Sequence, residues 1–148
     1  ETTFAQLPMK FEAGTQNFAS AATFKQAIDC IKLLSDKELV KEIDKVRDYL
    51  LDVLTSDQRI RLYGVPRGTK ADKIPLFSFC VEGIHHEDLA LILDKMGIAV
   101  RSGQMCAEPL MTRFGVTGML RDSFAPYNTM QEAEYFVKCL NRAIDMLV

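Results

Sequence analysis

Of the four cysteines in this sequence, Cys30, Cys80, Cys106 and Cys139, only Cys106 falls in a stretch rich in turn-forming residues. Residues 102 to 118 hold three glycines and Pro109, so Cys106 sits in a long connection, and such connections inside compact domains usually carry function. Arg101 and Arg113 lie on either side of it, and a cationic setting favours the thiolate, the nucleophilic form of the side chain. The alternative for Cys106 is a small buried filler. For Cys30, Cys80 and Cys139, on apolar faces of elements, that filler role is the expected one. No two cysteines have Cys-x-x-Cys spacing, so neither a metal site nor a dithiol redox motif is expected, and free thiols point to a reducing, cytoplasmic setting. Arg121, read on its own, is best taken as an outward strand arginine in a surface ion pair, although a planar guanidinium suits a carboxylate because its fork offers two parallel hydrogen bonds. His85 and His86 precede a helix, where histidine more often bonds locally than acts as a base. A Cys-His hydrolase built from Cys106 with either of them lacks an orienting partner.

These residues must be positioned by the elements around them. Residues 1 to 18 carry Pro8 and Gly14 and no helical period. Phe24, Ala27, Ile28, Ile31 and Leu34 then form an apolar stripe that predicts a helix over about 19–34. Ser35 and Glu38 have capping-box spacing, and Leu39, Ile43, Val46, Leu50 and Val53 mark a second helix to about 55. Alternation around Ile60, Leu62 and Gly64, and the β-prone run Ile74 to Val81, predict two strands with Gly64 to Lys73 as their loop. Leu89, Ile92, Leu93 and Met96 mark a short helix stopped by Gly97. Ile98 to Arg101 reads as a third strand, Leu110 to Phe114 as one helical turn, and Met119 to Phe124 as a fourth strand. Thr129 and Glu132 form another capping box, opening a helix whose apolar face is Phe136, Val137, Leu140, Ile144 and Leu147. The whole is an α/β chain of the α+β type, a small, mainly antiparallel sheet flanked by helices.

A chain of 148 residues, 48% hydrophobic, can bury one core. With 18 basic against 20 acidic residues, neither a nucleic-acid footprint nor a polybasic membrane anchor is present. The apolar runs fall short of the roughly 20 residues of a membrane-spanning helix. Small-molecule chemistry or a protein partner remains.

Three segments carry a resemblance. They are FEAGT at 11–15, VRSGQMCAEPL at 100–110 and GVTGMLRDSFAPYNT at 115–129. In that order they resemble the group II cysteine desulfurases of the class V aminotransferase superfamily, which also includes cysteine sulfinate desulfinases and selenocysteine lyases. The similarity runs from Phe11 to the C-terminus. It implies the small C-terminal domain of a fold-type I enzyme dependent on pyridoxal 5'-phosphate. Residues 1–34 would be a linker and the first part of a long helix from the end of the cofactor domain, and 35–148 the small domain. The implied reaction moves sulfur from L-cysteine to Cys106 as a persulfide, releases L-alanine, and passes the sulfur to an acceptor protein for iron-sulfur cluster or related biosynthesis.

By the same resemblance Arg121 grips the substrate carboxylate, and Arg101 orients the loop or shapes substrate approach. Thr15, with Gly14 beside it, reaches the cofactor phosphate across a homodimer. No resident metal, nucleic acid or membrane is implied. Two departures stand out. Met105 occupies the position where many members have histidine, and the family's Schiff-base lysine, in Ser-x-His-Lys, is absent, as is the histidine that stacks on the cofactor ring. By the resemblance the lysine and the stacking histidine would belong to a large N-terminal domain that normally precedes these residues, so no covalent cofactor is expected on these residues alone. Selenocysteine or cysteine sulfinate as substrate, or a non-enzymatic interaction module, are the competing readings.

Overall fold

A computed structural model of the chain describes residues 2–64 and 73–148; the loop expected at Gly64 to Lys73 falls, from 65 to 72, outside the described residues. The chain divides into two compact units, Glu1–Asp36 and Lys37–Val148.

The first unit holds a short 3-10 helix, Met9–Phe11, and helix α1, Phe18–Leu34. Asn17 opens α1 by accepting a hydrogen bond from the Ser20 N–H at 3.1 Å. The apolar stripe of α1 exists but is not buried: Phe24 is 64% exposed and Ile31 62%. Cys30 is exposed with it, so the filler role expected for that cysteine is wrong. Helical period marks a face without saying what covers it. Ser35 also closes α1, its hydroxyl donating to the Ile31 carbonyl at 2.7 Å.

The second unit is built on a four-stranded sheet of β1 (Ile60–Tyr63), β2 (Leu76–Val81), β3 (Arg101–Gly103) and β4 (Met119–Ser123) in the order β1-β2-β4-β3. Every pairing is antiparallel. Alternation decides which face of the sheet is buried. Phe77, Phe79 and Val81 of β2 point into the core with Ile60 and Leu120, and Phe77 and Phe79 are fully buried. Helices α2 (Lys37–Ser56), α3 (His86–Lys95) and α5 (Met130–Leu147) cover that face. Their stripes supply Val46, Leu50 and Leu54, then Leu89 and Leu93, then Phe136, Leu140 and Ile144. At about 1.5–3 kcal/mol for each large apolar side chain removed from water, this face holds the unit together. The capping box at Thr129 and Glu132 forms in full, and Cys139 is buried in α5.

The third strand lies three residues later than its apolar run suggests. The Ile98 N–H donates to the Leu93 carbonyl at 3.0 Å, so Ile98 finishes α3 after Gly97 (φ 78°) turns the chain. Ile98 and Val100 pack against the core without joining the ladder, which begins at Arg101. The single turn expected near Leu110 is a seven-residue helix, α4 (Glu108–Phe114), entered through Pro109 and closed by left-handed Gly115 (φ 71°).

Candidate functional site

Directly paired residues of an antiparallel sheet project from the same face, so the register builds the site. Leu120 of β4 is buried on the helix-covered side, which turns Arg121 to the opposite, open side. There it pairs directly with Arg101 of β3 on one flank and with Ser78 of β2 on the other. Ser78 in turn pairs with Tyr63 of β1. One row, Tyr63, Ser78, Arg121 and Arg101, therefore crosses all four strands on the open face.

Two guanidinium groups set directly opposite each other repel, and neither makes an ion pair among the described residues. An anion between them offsets that repulsion. A carboxylate fits, since each planar fork offers parallel N–H donors. The structure thus brings together the two arginines singled out from the sequence. It adds Ser78 and Tyr63, whose signal was available: the period-two burial of Phe77, Phe79 and Val81 leaves Ser78 and Cys80 on the other face.

Cys106 is reached one turn beyond β3. The Ala107 N–H donates to the Gln104 carbonyl at 2.9 Å, closing a four-residue turn whose central residues are Met105 (φ 56°) and Cys106 (φ 58°). Positive φ at both central positions is the type I′ pattern, normally met by Asn and Gly. Here two residues with full side chains hold it, at about 1 kcal/mol each. The turn presents Cys106 exposed at its tip. Replacing Met105 with Gly should relieve its share and raise stability by about 0.5–1 kcal/mol in urea unfolding of the chain. A loss of stability would show that the Met105 side chain contributes more than its conformation costs.

Helix α4, which follows the turn, is tied to the same open face, its Phe114 ring lying 4.9 Å from that of Tyr63. Cys80 shares this face, paired with Arg61, but burial pushes its thiol pKa up and its Sγ donates to the Gly118 carbonyl at 3.5 Å. A protonated, half-buried thiol is a poor nucleophile, which separates Cys80 from exposed Cys106. A cavity of about 460 Å³ lies beside β1, lined by Arg61, Tyr63, Cys80 and Val116 among others, but neither Arg121 nor Cys106 lines it.

His85 does act locally, capping α3 as its Nδ1 accepts from the Glu87 N–H at 3.4 Å. Gly14 and Thr15 belong to the other unit, both exposed. Among the described residues no group of three or more His, Cys, Asp or Glu side chains is arranged to hold a metal ion, and no helix is long and apolar enough to cross a membrane.

Comparison with known proteins gives a consistent picture. The family model Aminotransferase class-V matches residues 1–136. A probable cysteine desulfurase of Vibrio cholerae is 38% identical over 99% of this chain, and the cysteine desulfurase CsdA of Escherichia coli is 37% identical over 95%. The chain spans only about a third of their length, 35% and 34% respectively. The crystal structure of CsdA in its S-sulfonic acid form superposes with a TM-score of 0.77 at 32% identity, covering 100% of this chain and 37% of that one. An apo cysteine desulfurase of Thermococcus onnurineus gives 0.70 at 33% identity, covering 98% and 36%.

Proposed function

Because this chain belongs to the class-V aminotransferase family, we propose that it forms the C-terminal part of a pyridoxal-phosphate-dependent cysteine desulfurase, which takes sulfur from L-cysteine onto Cys106 and releases L-alanine. The observation that carries this reading is the direct pairing of Arg101 with Arg121 on the open face of the sheet, one strand-end away from the Cys106 turn.

Of the residues present, Gly14 and Thr15 suit the cofactor phosphate. Both are exposed, and a Cβ built on Gly14 would meet nothing within 4 Å, so an anion can approach the backbone there. They would serve it across a homodimer, while a preceding domain would supply the lysine. When bound, the cofactor supplies an electron sink beside the substrate α-carbon. The rest is done by side chains of this chain. Arg121 holds the carboxylate in its fork, and Arg101 completes the cationic pair and shapes the approach. The Cys106 thiolate attacks the substrate sulfur: an S–S bond forms, the carbon–sulfur bond breaks, and its electron pair stays on the carbon, which takes up a proton to give alanine. Cys106 is left as a persulfide. Its exposure at a turn tip suits delivery of that sulfur to an acceptor protein, for iron-sulfur cluster or related assembly in a reducing cytoplasm.

The carboxylate is common to cysteine, cysteine sulfinate and selenocysteine, so damage to Arg121 should weaken all three together. In the full-length protein, Arg121→Lys keeps the charge but forfeits one of the parallel hydrogen bonds. It should cost roughly 1.5–3 kcal/mol, about one to two decades in kcat/KM, and Arg121→Ala more. Turnover nearly unaltered in both, with stability shifted by no more than about 0.5 kcal/mol, would make Arg121 a surface residue and remove the basis of the proposal. A loss confined to one substrate would mean that Arg121 reads the side chain.

A further inference from the structure

Gly118 immediately precedes β4, and its need for glycine does not come from its backbone, because its φ lies outside the left-handed region that Gly64, Gly83, Gly97, Gly103 and Gly115 occupy. It comes from His86. A Cβ placed on Gly118 would lie 2.3 Å from His86 Nε2, 2.8 Å from Cε1 and 2.9 Å from Cδ2, so the imidazole is seated against the Cα of Gly118. The other side of this peptide is held as well, since the Gly118 carbonyl accepts from the Cys80 thiol of β2.

His86 is itself a fixed object. It is the first residue of α3, directly after the cap at His85, and its ring lies against that of His85 with centroids 4.3 Å apart. Its Nδ1 is buried without a hydrogen-bond partner among the described residues. A hydrogen bond from that nitrogen is therefore not what the ring contributes; its shape is. Burial, and then the neighbouring His85, hold its pKa below the ordinary histidine range, which keeps the ring neutral where it meets the backbone.

We infer that His86 is a positioning residue for Arg121: seated on Gly118, it fixes where β4 begins and so where, three residues on, the guanidinium meets the substrate carboxylate. The inference rests on the carboxylate role proposed for Arg121. It makes α3 and the strand carrying Arg121 one mechanical unit, with Gly118 as the contact point. A cavity of about 290 Å³ borders this contact, lined by Cys80, His85, His86 and Gly115 to Gly118, so a displaced ring has somewhere to go and the contact can be broken without unfolding the sheet.

The test is a double-mutant cycle in the full-length protein, read as KM and kcat for cysteine. His86→Ala and Gly118→Ala should each raise KM by roughly tenfold with kcat nearly held, because a misplaced binding group weakens capture before chemistry. The double variant should be no worse than the poorer single one, since both changes remove the same contact. His86→Phe, which keeps a flat ring, though one atom larger, and discards both nitrogens, should lie closer to the parental KM than His86→Ala does. The rate of Cys106 alkylation should be unchanged throughout. Losses that multiply in the double variant, or a parental KM in His86→Ala, would overturn the inference. If Gly118→Ala does not accumulate as folded protein, the contrast between His86→Ala and His86→Phe decides the matter alone. Failure of the underlying reading looks different: the unmodified protein would then release no alanine from cysteine.

Discussion

Under the proposed function, replacing Cys106 with Ser in the full-length protein should abolish persulfide formation and cysteine-dependent alanine release while leaving cofactor binding intact. The expectation follows from what the side chain must do. Only a thiolate can take a sulfur atom to form an S–S bond, and a hydroxyl at the same place is both far less ionised and a poor acceptor of sulfur. The turn around Cys106 should be unharmed, because Ser tolerates the same positive φ at similar cost and the side chain is exposed. Selenocysteine should be less affected, since selenium leaves more readily. The measurement is alanine produced per enzyme together with a persulfide assay, with cofactor absorbance as the control. Alanine released at the parental rate would withdraw Cys106 as the nucleophile and return Cys80, protonated and half-buried as it is, to consideration.

How much of this was legible in the sequence differs element by element. The Thr129 and Glu132 capping box and the alternation along β2 were readable because both depend on contacts within a few residues. The true start of β3 was not. Ile98 and Val100 look like strand residues, but a backbone hydrogen bond back into α3 and packing on the core claim them first. The conformation of the Cys106 turn was hidden for a different reason, because Met and Cys give no sign of left-handed backbone. The arginine pair stood halfway. The resemblance singled out each arginine, but that Arg101 faces Arg121 is a matter of register, fixed by which face each strand buries. The contact of His86 with Gly118 links α3 to the start of β4 and leaves no local pattern at all.

Asp122 shows the limit most clearly, and it leads to the largest expected effect on stability. It stands between Arg121 and Ser123 in a strand whose alternation sends it inward, directly paired with Phe77 and only 4% exposed. Neither carboxylate oxygen has a hydrogen-bond partner among the described residues. Burial drives its pKa up from 3.8 to about 7, opposed by its own backbone amide and by the charge of Lys73. The Lys73 ammonium, itself pushed down by burial, lies 4.9 Å from the centre of the Phe77 ring. Glu132 and Tyr135 of α5 line one cavity with Asp122, but Glu132 is committed to its capping box and the Tyr135 hydroxyl donates to the Met96 carbonyl.

The sign follows from the two pKa values. Below about pH 4 the carboxyl is protonated whether the chain is folded or not, and burial carries no ionisation penalty. Between about pH 4 and about pH 7 the unfolded chain gives up this proton and the folded one keeps it, so stability falls as pH rises; above about pH 7 the penalty is constant. A shift of about three units corresponds to at most roughly 4 kcal/mol. Asp122→Asn cannot ionise, and whatever its buried amide costs is the same at every pH. Relative to the parent, the variant should therefore gain up to roughly 4 kcal/mol between about pH 4 and about pH 8 in urea unfolding of the chain, most of it between about pH 5 and about pH 7. Lys73→Ala should move the parent's transition to higher pH by removing a cation that favours the ionised form. Parallel pH profiles for parent and Asp122→Asn would mean that the carboxylate finds a partner in solution.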